Sequence, residues 1–265
     1  MTRTPRALAL ITGAGSGIGK AAALRFARDG YDCLLLGRTL RSLEAVMEEI
    51  TTHAGGEHRI LVADVAGGDA YLAALGEMIS TYPPDVAIVN AGIGLYGPVA
   101  ATEWKDIESI LHTNISGAIA TVHAVLPSML RRGNGSIVLV SSVLGKRALA
   151  FNAAYSASKA ALHGFADALR LEVRHRGVHV GVVCPARTDT PFFRSMTYAV
   201  PQTRRRAVPT SPPEVAAEAI HRCVRQRRRE IVVSAGGKLY VLAGVHFPRL
   251  MDFVLSRMVP TPEEA

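Results

Sequence analysis

Short, unbroken apolar runs recur along the chain, separated by segments in which apolar residues follow helical spacing. The runs are Ala7–Ile11, Cys33–Leu36, Ile60–Val62, Val86–Val89, Ile137–Val140, Val180–Cys184 and Ile231–Val233. A strand that is apolar throughout, instead of alternating, is buried on both faces, so a parallel sheet covered by helices on either side is predicted. Helical spacing marks Lys20–Asp29, Leu40–His53 and Tyr71–Thr81, and longer helices are predicted at Thr102–Arg131 and Ala154–His175, the second ending before Gly177. Strand and helix alternate, which gives an α/β fold: a doubly wound, mostly parallel seven-stranded sheet with helices on both faces. No internal repeat or low-complexity linker divides residues 1–265, so a single domain is expected.

Two stretches leave this rhythm. Pro185–Pro213 holds six prolines together with Phe192, Phe193, Met196 and Tyr198. A long irregular insertion in a compact domain reads as a lid over substrate, here at about 186–213. The second stretch is a hydrophobic C-terminal extension at about 238–259. Leu239, Leu242, Ala243, Phe247, Leu250, Met251, Val254, Leu255 and Met258 follow helical spacing, Pro248 interrupts them, and Lys238, Arg249, Asp252 and Arg257 lie off the stripe. The first expectation is a helix or helix pair burying that stripe on its own subunit. A subunit interface, then peripheral contact with a membrane surface, stand behind it.

Composition narrows the setting. With 49% apolar and 20% charged residues the chain can build a large core, which excludes disorder. Cys33 and Cys184 lie in apolar runs, Cys223 stands apart, and no Cys-x-x-Cys pair occurs, so a reducing, cytoplasmic setting is expected. The basic start MTRTPRALALITG carries too short an apolar run for a signal peptide and reads as the first strand. The net charge of +8 is concentrated in Arg204–Arg206 and Arg225–Arg229. No aromatics interleave these runs, so a solvated surface or phosphate attraction is expected and nucleic acid is not. Such a field also recruits a polyanionic dinucleotide.

Candidate chemistry begins at TGAGSGIG, Thr12–Gly19, between the first run and a helical segment. There Gly13, Ser16, Gly17, Ile18 and Gly19 would let the backbone approach a pyrophosphate and aim a helix N-terminus at it. Asp32 lies the right number of residues on for a ribose-binding carboxylate, but it precedes its strand. The carboxyl end of that strand carries Gly37 and Arg38, with no carboxylate to repel a 2′-phosphate, so NADP(H) is expected in preference to NAD(H). Further on, Tyr155 and Lys159 stand one helical turn apart, with Ser142 upstream. The lysine charge is expected to lower the phenol from its ordinary pKa of about 10, making it a general acid or base. His175 and His179 have metal-like spacing, but Gly177 between them ends the helix, so no metal site is expected. The Gly-x-Ser-x-Gly elbow of serine hydrolases is absent.

Together these residues resemble the short-chain dehydrogenase/reductase family over roughly Arg6–Val233, with a single NAD(P)-binding Rossmann-like domain. Besides the glycine turn, Asp64-Val65 resembles the family's adenine-contacting pair. Asn90-Ala91-Gly92 resembles the signature that steadies the sheet and lines the cofactor groove, and Asn114 falls where the family keeps a catalytic asparagine. Ser142, Tyr155 and Lys159 match the catalytic serine, tyrosine and lysine in order and spacing. The usual Pro-Gly after the sixth strand is Pro185-Ala186, with Thr188 and Thr190 in register.

The resemblance implies hydride transfer between NADPH and a carbonyl or secondary alcohol. Tyr155 would exchange the proton and Ser142 would hold the oxygen. Lys159 would bind the ribose and lower the phenol pKa, and Asn114 would hold a water linking Lys159 to solvent. It also implies a dimer or tetramer. The lid aromatics, with Leu144, Leu149 and Phe151, suggest a bulky hydrophobic substrate. A reductase of carrier-linked 3-oxoacyl substrates is the alternative. A non-catalytic NADPH-sensing regulator is a further reading, one with no need of the intact Ser142, Tyr155 and Lys159.

Overall fold

The computed structural model describes residues 6–200 and 210–257. In chain order the elements begin β1 (Leu8–Thr12), α1 (Gly17–Arg28), β2 (Asp32–Gly37), α2 (Leu40–Ala54), β3 (Arg59–Val62), α3 (Gly68–Thr81), β4 (Val86–Val89) and β5 (Leu95–Tyr96). There follow α4 (Trp104–Leu111), α5 (Gly117–Arg132), β6 (Gly135–Val140), α6 (Ala153–Val173), β7 (Val178–Cys184) and β8 (Thr197–Tyr198). The chain continues through α7 (Pro213–Arg225), β9 (Glu230–Val232), α8 (Ala235–His246) and α9 (Pro248–Ser256).

Seven strands form one sheet in the order β3-β2-β1-β4-β6-β7-β9, every pair parallel, and each predicted apolar run falls on one of them. Burial explains the pattern. β1, β6 and β7 are buried at every residue, while the edge strands β3 and β9 are only half-buried, and they are the ones that mix in Arg59 and Glu230. One apolar layer lies between the sheet and α3, α5 and α6; the other lies under α1, α2 and α7. From β1 the chain moves outward to β2 and β3, then crosses to β4 on β1's other side. This reversal opens a crevice at the carboxyl ends of β1 and β4, the place where open α/β sheets bind ligands.

Three departures from the sequence reading matter for the site. The long helix expected at Thr102–Arg131 is α4 and α5 joined through a π-helical turn, His112–Ser116, with Asn114 at its centre. Trp104–Arg132 is long and apolar enough to cross a bilayer, yet Ile110, Val122, Val125 and Met129 are buried, the α5 residues under one face of the sheet. Second, part of the segment expected as a lid is paired: β8 adds to β5 as a small parallel sheet, Leu95 opposite Thr197 and Tyr96 opposite Tyr198. Residues 201–209 of the expected lid, with Pro201, Pro209 and Arg204–Arg206, lie outside the described residues, as do 258–259 of the expected extension.

Third, the C-terminal stripe forms the predicted helices, bent by 116° at Phe247-Pro248, but of its described residues only Ala243, Met251 and Leu255 are half-buried on the chain itself. Leu239, Leu242, Phe247, Leu250 and Val254 are exposed. The reason is steric. α8 meets the rest of the chain through Gly237 and Gly244, where a side chain would strike Ser234 and Arg147, so the larger residues are left on the far side.

Candidate active site

The glycine turn is built on close approach. Gly13 and Gly17 have positive φ (67° and 53°), which glycine alone adopts without strain. A Cβ on Gly19 would stand 2.1 Å from the Gly13 carbonyl oxygen, so the first turn of α1 folds directly onto the loop. Ser16 caps α1 with its backbone and leaves its hydroxyl exposed, Ile18 is half-buried, and the first turn holds no acidic residue. Amide groups and helix dipole at this terminus therefore suit an anion. A Cβ on Gly17 would meet Thr190 at 3.1 Å, so the stretch after β7 closes over the turn.

Asn90-Ala91-Gly92 laces β4 to β1. The Asn90 and Ala91 amides both donate to Thr12 Oγ1 at 2.9 Å, and Asn90 Nδ2 donates to the Thr12 carbonyl at 3.0 Å. A Cβ on Gly92 would meet Asn114 Oδ1 at 3.0 Å and Lys159 Nζ at 3.3 Å; only glycine leaves these two groups facing one gap. Asn114 is buried. Its Oδ1 accepts from the Ile93 amide at 2.8 Å, and its Nδ2 donates to the Ile93 carbonyl and to Ser158 Oγ, both at 3.0 Å. The π turn is what sets this side chain against the strand end.

At the second strand, Asp32 lies at the amino end as expected, accepting from the Glu57 amide at 2.9 Å, far from the crevice. Arg38 follows the carboxyl end. The expectation that no carboxylate stands beside it is corrected: Asp64 Oδ2 lies 3.8 Å from Arg38 Nη1, both largely exposed. The sequence hid this because β3 sits next to β2 in the sheet, so the residues after each strand share one edge. Val65 beside it is buried against Gly117.

Tyr155 and Lys159 face the same edge from α6. Lys159 is buried, and Nζ donates to the Val140 carbonyl at 2.9 Å, 6.0 Å from the Tyr155 ring centre. Ser141 and Ser142 divide their work. Ser141 Oγ donates to the Lys159 carbonyl at 2.9 Å, whereas Ser142 Oγ accepts from the Leu144 amide at 3.1 Å and is close enough to Tyr155 to pull its pKa down. The expected lowering of the phenol is reversed by the protein's own groups. Burial pushes Tyr155 up to about 12, Ser142 only partly opposing it, and burial brings Lys159 down to about 8. Lys159 does not offset the rise of the phenol: burial is its largest cause, and Ser142 is the group that opposes it.

Beside Tyr155 runs the segment expected as a lid. Phe192, Phe193, Met196 and Tyr198 are half-buried rather than exposed, and the Phe192 ring centre is 5.9 Å from that of Tyr155. Phe192 and Met196 close on Gly94, and Tyr198 donates to the Phe193 carbonyl at 2.9 Å. Pro185 accepts from the Val143 amide at 3.1 Å, and Thr188 is buried with its hydroxyl on the Ala186 carbonyl. Ala186 does not have positive φ, so alanine replaces the family's glycine there without strain.

Sequence reasoning missed two features. Phe151 takes φ 63°, uncommon for a large side chain, and its carbonyl accepts from the Gly97 amide at 2.8 Å, tying the approach to α6 to the β5 loop. The second is a chain of polar groups behind Lys159. His163 Nε2 lies 3.0 Å from Ser141 Oγ and 3.8 Å from Cys184 Sγ, its Nδ1 is 3.4 Å from Glu230, and Lys146 Nζ sits 2.7 Å from the same carboxylate. His163, Cys184 and Glu230 lie close enough together for a metal, but Lys146 already neutralises the carboxylate and burial holds the thiol up at about 12. The i+4 step from Lys159 to His163 was the only trace in the sequence.

A doubly wound sheet with a glycine turn at its switch point, and a phenol, hydroxyl and ammonium gathered at the same edge, defines a dinucleotide-dependent oxidoreductase. Comparison sharpens the class. Residues 7–200 match the family described as short chain dehydrogenase. An uncharacterized oxidoreductase of Myxococcus xanthus is 37% identical over 194 residues, 73% of this chain and 76% of that protein. The ketoacyl reductase HetN of Nostoc is 32% identical over 236 residues, 88% and 80% of the two chains. Among solved structures, a short-chain dehydrogenase from Sphingobium yanoikuyae in complex with NADPH superposes with a TM-score of 0.77 at 26% identity, covering 98% of each chain. The chain belongs to the short-chain dehydrogenase/reductase family and is an oxidoreductase of that type, in a family that binds NAD(P)(H).

Proposed function

We propose that the protein is an NADPH-dependent reductase of bulky, hydrophobic ketones. The observation that carries this reading is the gathering of Tyr155, Lys159 and Ser142 at one sheet edge, with the Tyr155 ring centre 5.9 Å from that of Phe192 and 6.0 Å from Lys159 Nζ. The residues around the crevice fit a dinucleotide. The turn Gly13–Gly19, with Ser16 and Ile18, suits a pyrophosphate; Asp64 and Val65 suit the adenine; Asn90, Ala91 and Gly92 line the groove; and Pro185, Thr188 and Thr190 close it from the β7 side. Arg38 supplies the charge that favours a 2′-phosphate, with Asp64 as its partial competitor. When bound, the nicotinamide supplies the hydride.

The chain's own residues supply position and the proton. Burial holds the phenol neutral, the form that can donate a proton to a carbonyl oxygen. Tyr155 donates to the carbonyl oxygen while Ser142 holds that oxygen in line. Lys159, poised near 8 beside Gly92 and Asn114, returns the proton. In this reading Asn114 keeps the Lys159 gap hydrated, and the enzyme works in the cytoplasm as a homo-oligomer.

The ketoacyl reductase among the relatives favours a second reading, a carrier-linked 3-oxoacyl substrate. The arginine run 204–206, the candidate phosphate contact for it, lies outside the described residues. The test is loss of NADPH absorbance against bulky ketones, simple ketones and acetoacetyl thioesters, for the native protein and Tyr155→Phe. Native turnover of bulky ketones is expected, with a fall of about 10²–10⁴-fold in the variant and unchanged NADPH affinity. A Phe variant with near-native turnover overturns the mechanism; thioester turnover alone overturns the substrate class.

A further inference from the structure

The helix pair α8–α9 is untouched by the chemistry above. α8 is apolar apart from Lys238 and His246, and its inner face is full: Tyr240 hydroxyl donates to the Arg147 carbonyl at 3.0 Å, and a Cβ on Gly237 or Gly244 would meet Ser234 at 2.9 Å or Arg147 at 2.8 Å. Leu239, Leu242 and Val245 stand on the opposite face, each more than 60% exposed. Leu250 and Phe253 continue the surface on α9, and Phe247 carries it across the bend. One exposed leucine needs no explanation, but a contiguous set on two successive helices marks an interaction surface.

The charges decide what kind. Lys238, Arg249 and Arg257 lie on the pair without a carboxylate partner among the described residues, and the Arg257 guanidinium lies 4.1 Å above the Phe253 ring. Asp252, the only acid between residues 235 and 257, is tied inward to Arg147. A second copy docking through this surface would bring like charges together. Helices of 12 and 9 residues rise only about 18 and about 14 Å, against a hydrocarbon core of about 30 Å, so neither spans a bilayer. We propose that α8 and α9 lie in the interfacial plane of an anionic lipid bilayer, with the apolar face in the acyl boundary and the cations among the headgroups. Gly237 packs on Val143, the residue after Ser142, so this surface adjoins the strand end that carries the site. On the function proposed above, a lipid-soluble ketone would reach Tyr155 from the membrane side.

Flotation of the full chain with phosphatidylcholine vesicles, with and without phosphatidylglycerol, tests this without any substrate, so its outcome is independent of the catalytic reading. Flotation with the phosphatidylglycerol vesicles, weakened by salt, is expected. The pair Leu242→Glu and Phe253→Glu should abolish it, and Lys238→Glu with Arg249→Glu should remove the anionic preference; both variants should melt at the native temperature. Absence of flotation with either vesicle overturns the proposal. So does a dimer, seen by light scattering, that the Leu242→Glu and Phe253→Glu variant splits while vesicles go unbound, since that gives the face to a second copy.

Discussion

Around the carboxyl ends of β1, β4 and β6, polar side chains are paired inside the chain, whereas α8 and α9 turn large apolar side chains outward. The glycines of the two regions show how each is held. At the edge Gly19 rests on the Gly13 carbonyl and Gly92 on Asn114 and Lys159, so backbone and buried polar side chains share one packed unit. In the outer shell, Gly237 and Gly244 of α8 rest on Ser234 and Arg147 while Gly236 has nothing within 4 Å of a prospective Cβ, and Gly76 on α3 and Gly164 on α6 are equally open. The edge is fixed by contacts the chain makes with itself. The shell is fixed on one side only, and in α8–α9 what it leaves over is a surface for something else.

The largest effect expected from breaking the edge is that of Gly19→Ala. The added methyl meets a backbone oxygen, which cannot rotate away, so α1 must move off the loop. Overpacking of this kind costs about 3 kcal/mol. Urea melts should show that loss, and NADPH titration should show weaker binding, since the amides of the turn shift together. A variant as stable as the native protein would mean that the turn is looser than its contacts indicate.

Arg38→Asp follows. A charge-assisted hydrogen bond to the 2′-phosphate is worth about 1.5–3 kcal/mol, so the ratio of kcat/KM for NADPH over NADH should fall by about tenfold or more. Asp64 at 3.8 Å then matters, because the variant places two carboxylates together. Asp64→Asn in the native background should move the ratio the other way, toward NADPH. An unchanged ratio in both removes Arg38 from cofactor selection.

The same contrast explains what the sequence made legible. Runs buried on both faces allow only one kind of strand, so seven of seven sheet strands were readable, and so was Asp32 at the wrong end. The glycine turn and Tyr155-x-x-x-Lys159 were readable because each chemistry needs a fixed local spacing. What stayed hidden depends on neighbours far apart in sequence. Asp64 reaches Arg38 only through the pairing of β2 and β3, and Glu230 reaches His163 only because β9 adds to β7. The phenol's raised pKa was hidden because charge spacing can be read from a helix, whereas desolvation cannot. The tail misled for the opposite reason. Helical spacing identified its helices, but an apolar stripe does not say what buries it.

Glu230 offers a test of the paired edge with a pH signature. Hydrogen bonds from His163 and Lys146 hold its carboxyl down at about 2, against an ordinary 4.5. A carboxylate depressed in the folded state stabilises the fold above its ordinary pKa, and that contribution disappears as pH falls through the folded value. Glu230→Gln should therefore destabilise fully at neutral pH, with the difference shrinking from about 4.5 downward and nearly gone at about pH 2. Urea midpoints across that range would show it. A difference that is constant with pH would assign the loss to packing and detach the carboxylate from the chain behind Lys159.

The smallest effect lies in the shell, and it has the opposite sign. Gly76 sits in the interior of α3 with open space where a methyl would go. Glycine there costs the helix about 0.8–1.0 kcal/mol relative to alanine, because the unfolded chain loses more freedom on ordering. Gly76→Ala should raise stability by nearly that amount and leave NADPH affinity and turnover unchanged. The same substitution is thus expected to break the molecule at Gly19 and strengthen it at Gly76. If Gly76→Ala destabilised, the shell would be as tightly constrained as the edge, and the distinction between self-contained and partner-seeking surfaces would have to be drawn elsewhere.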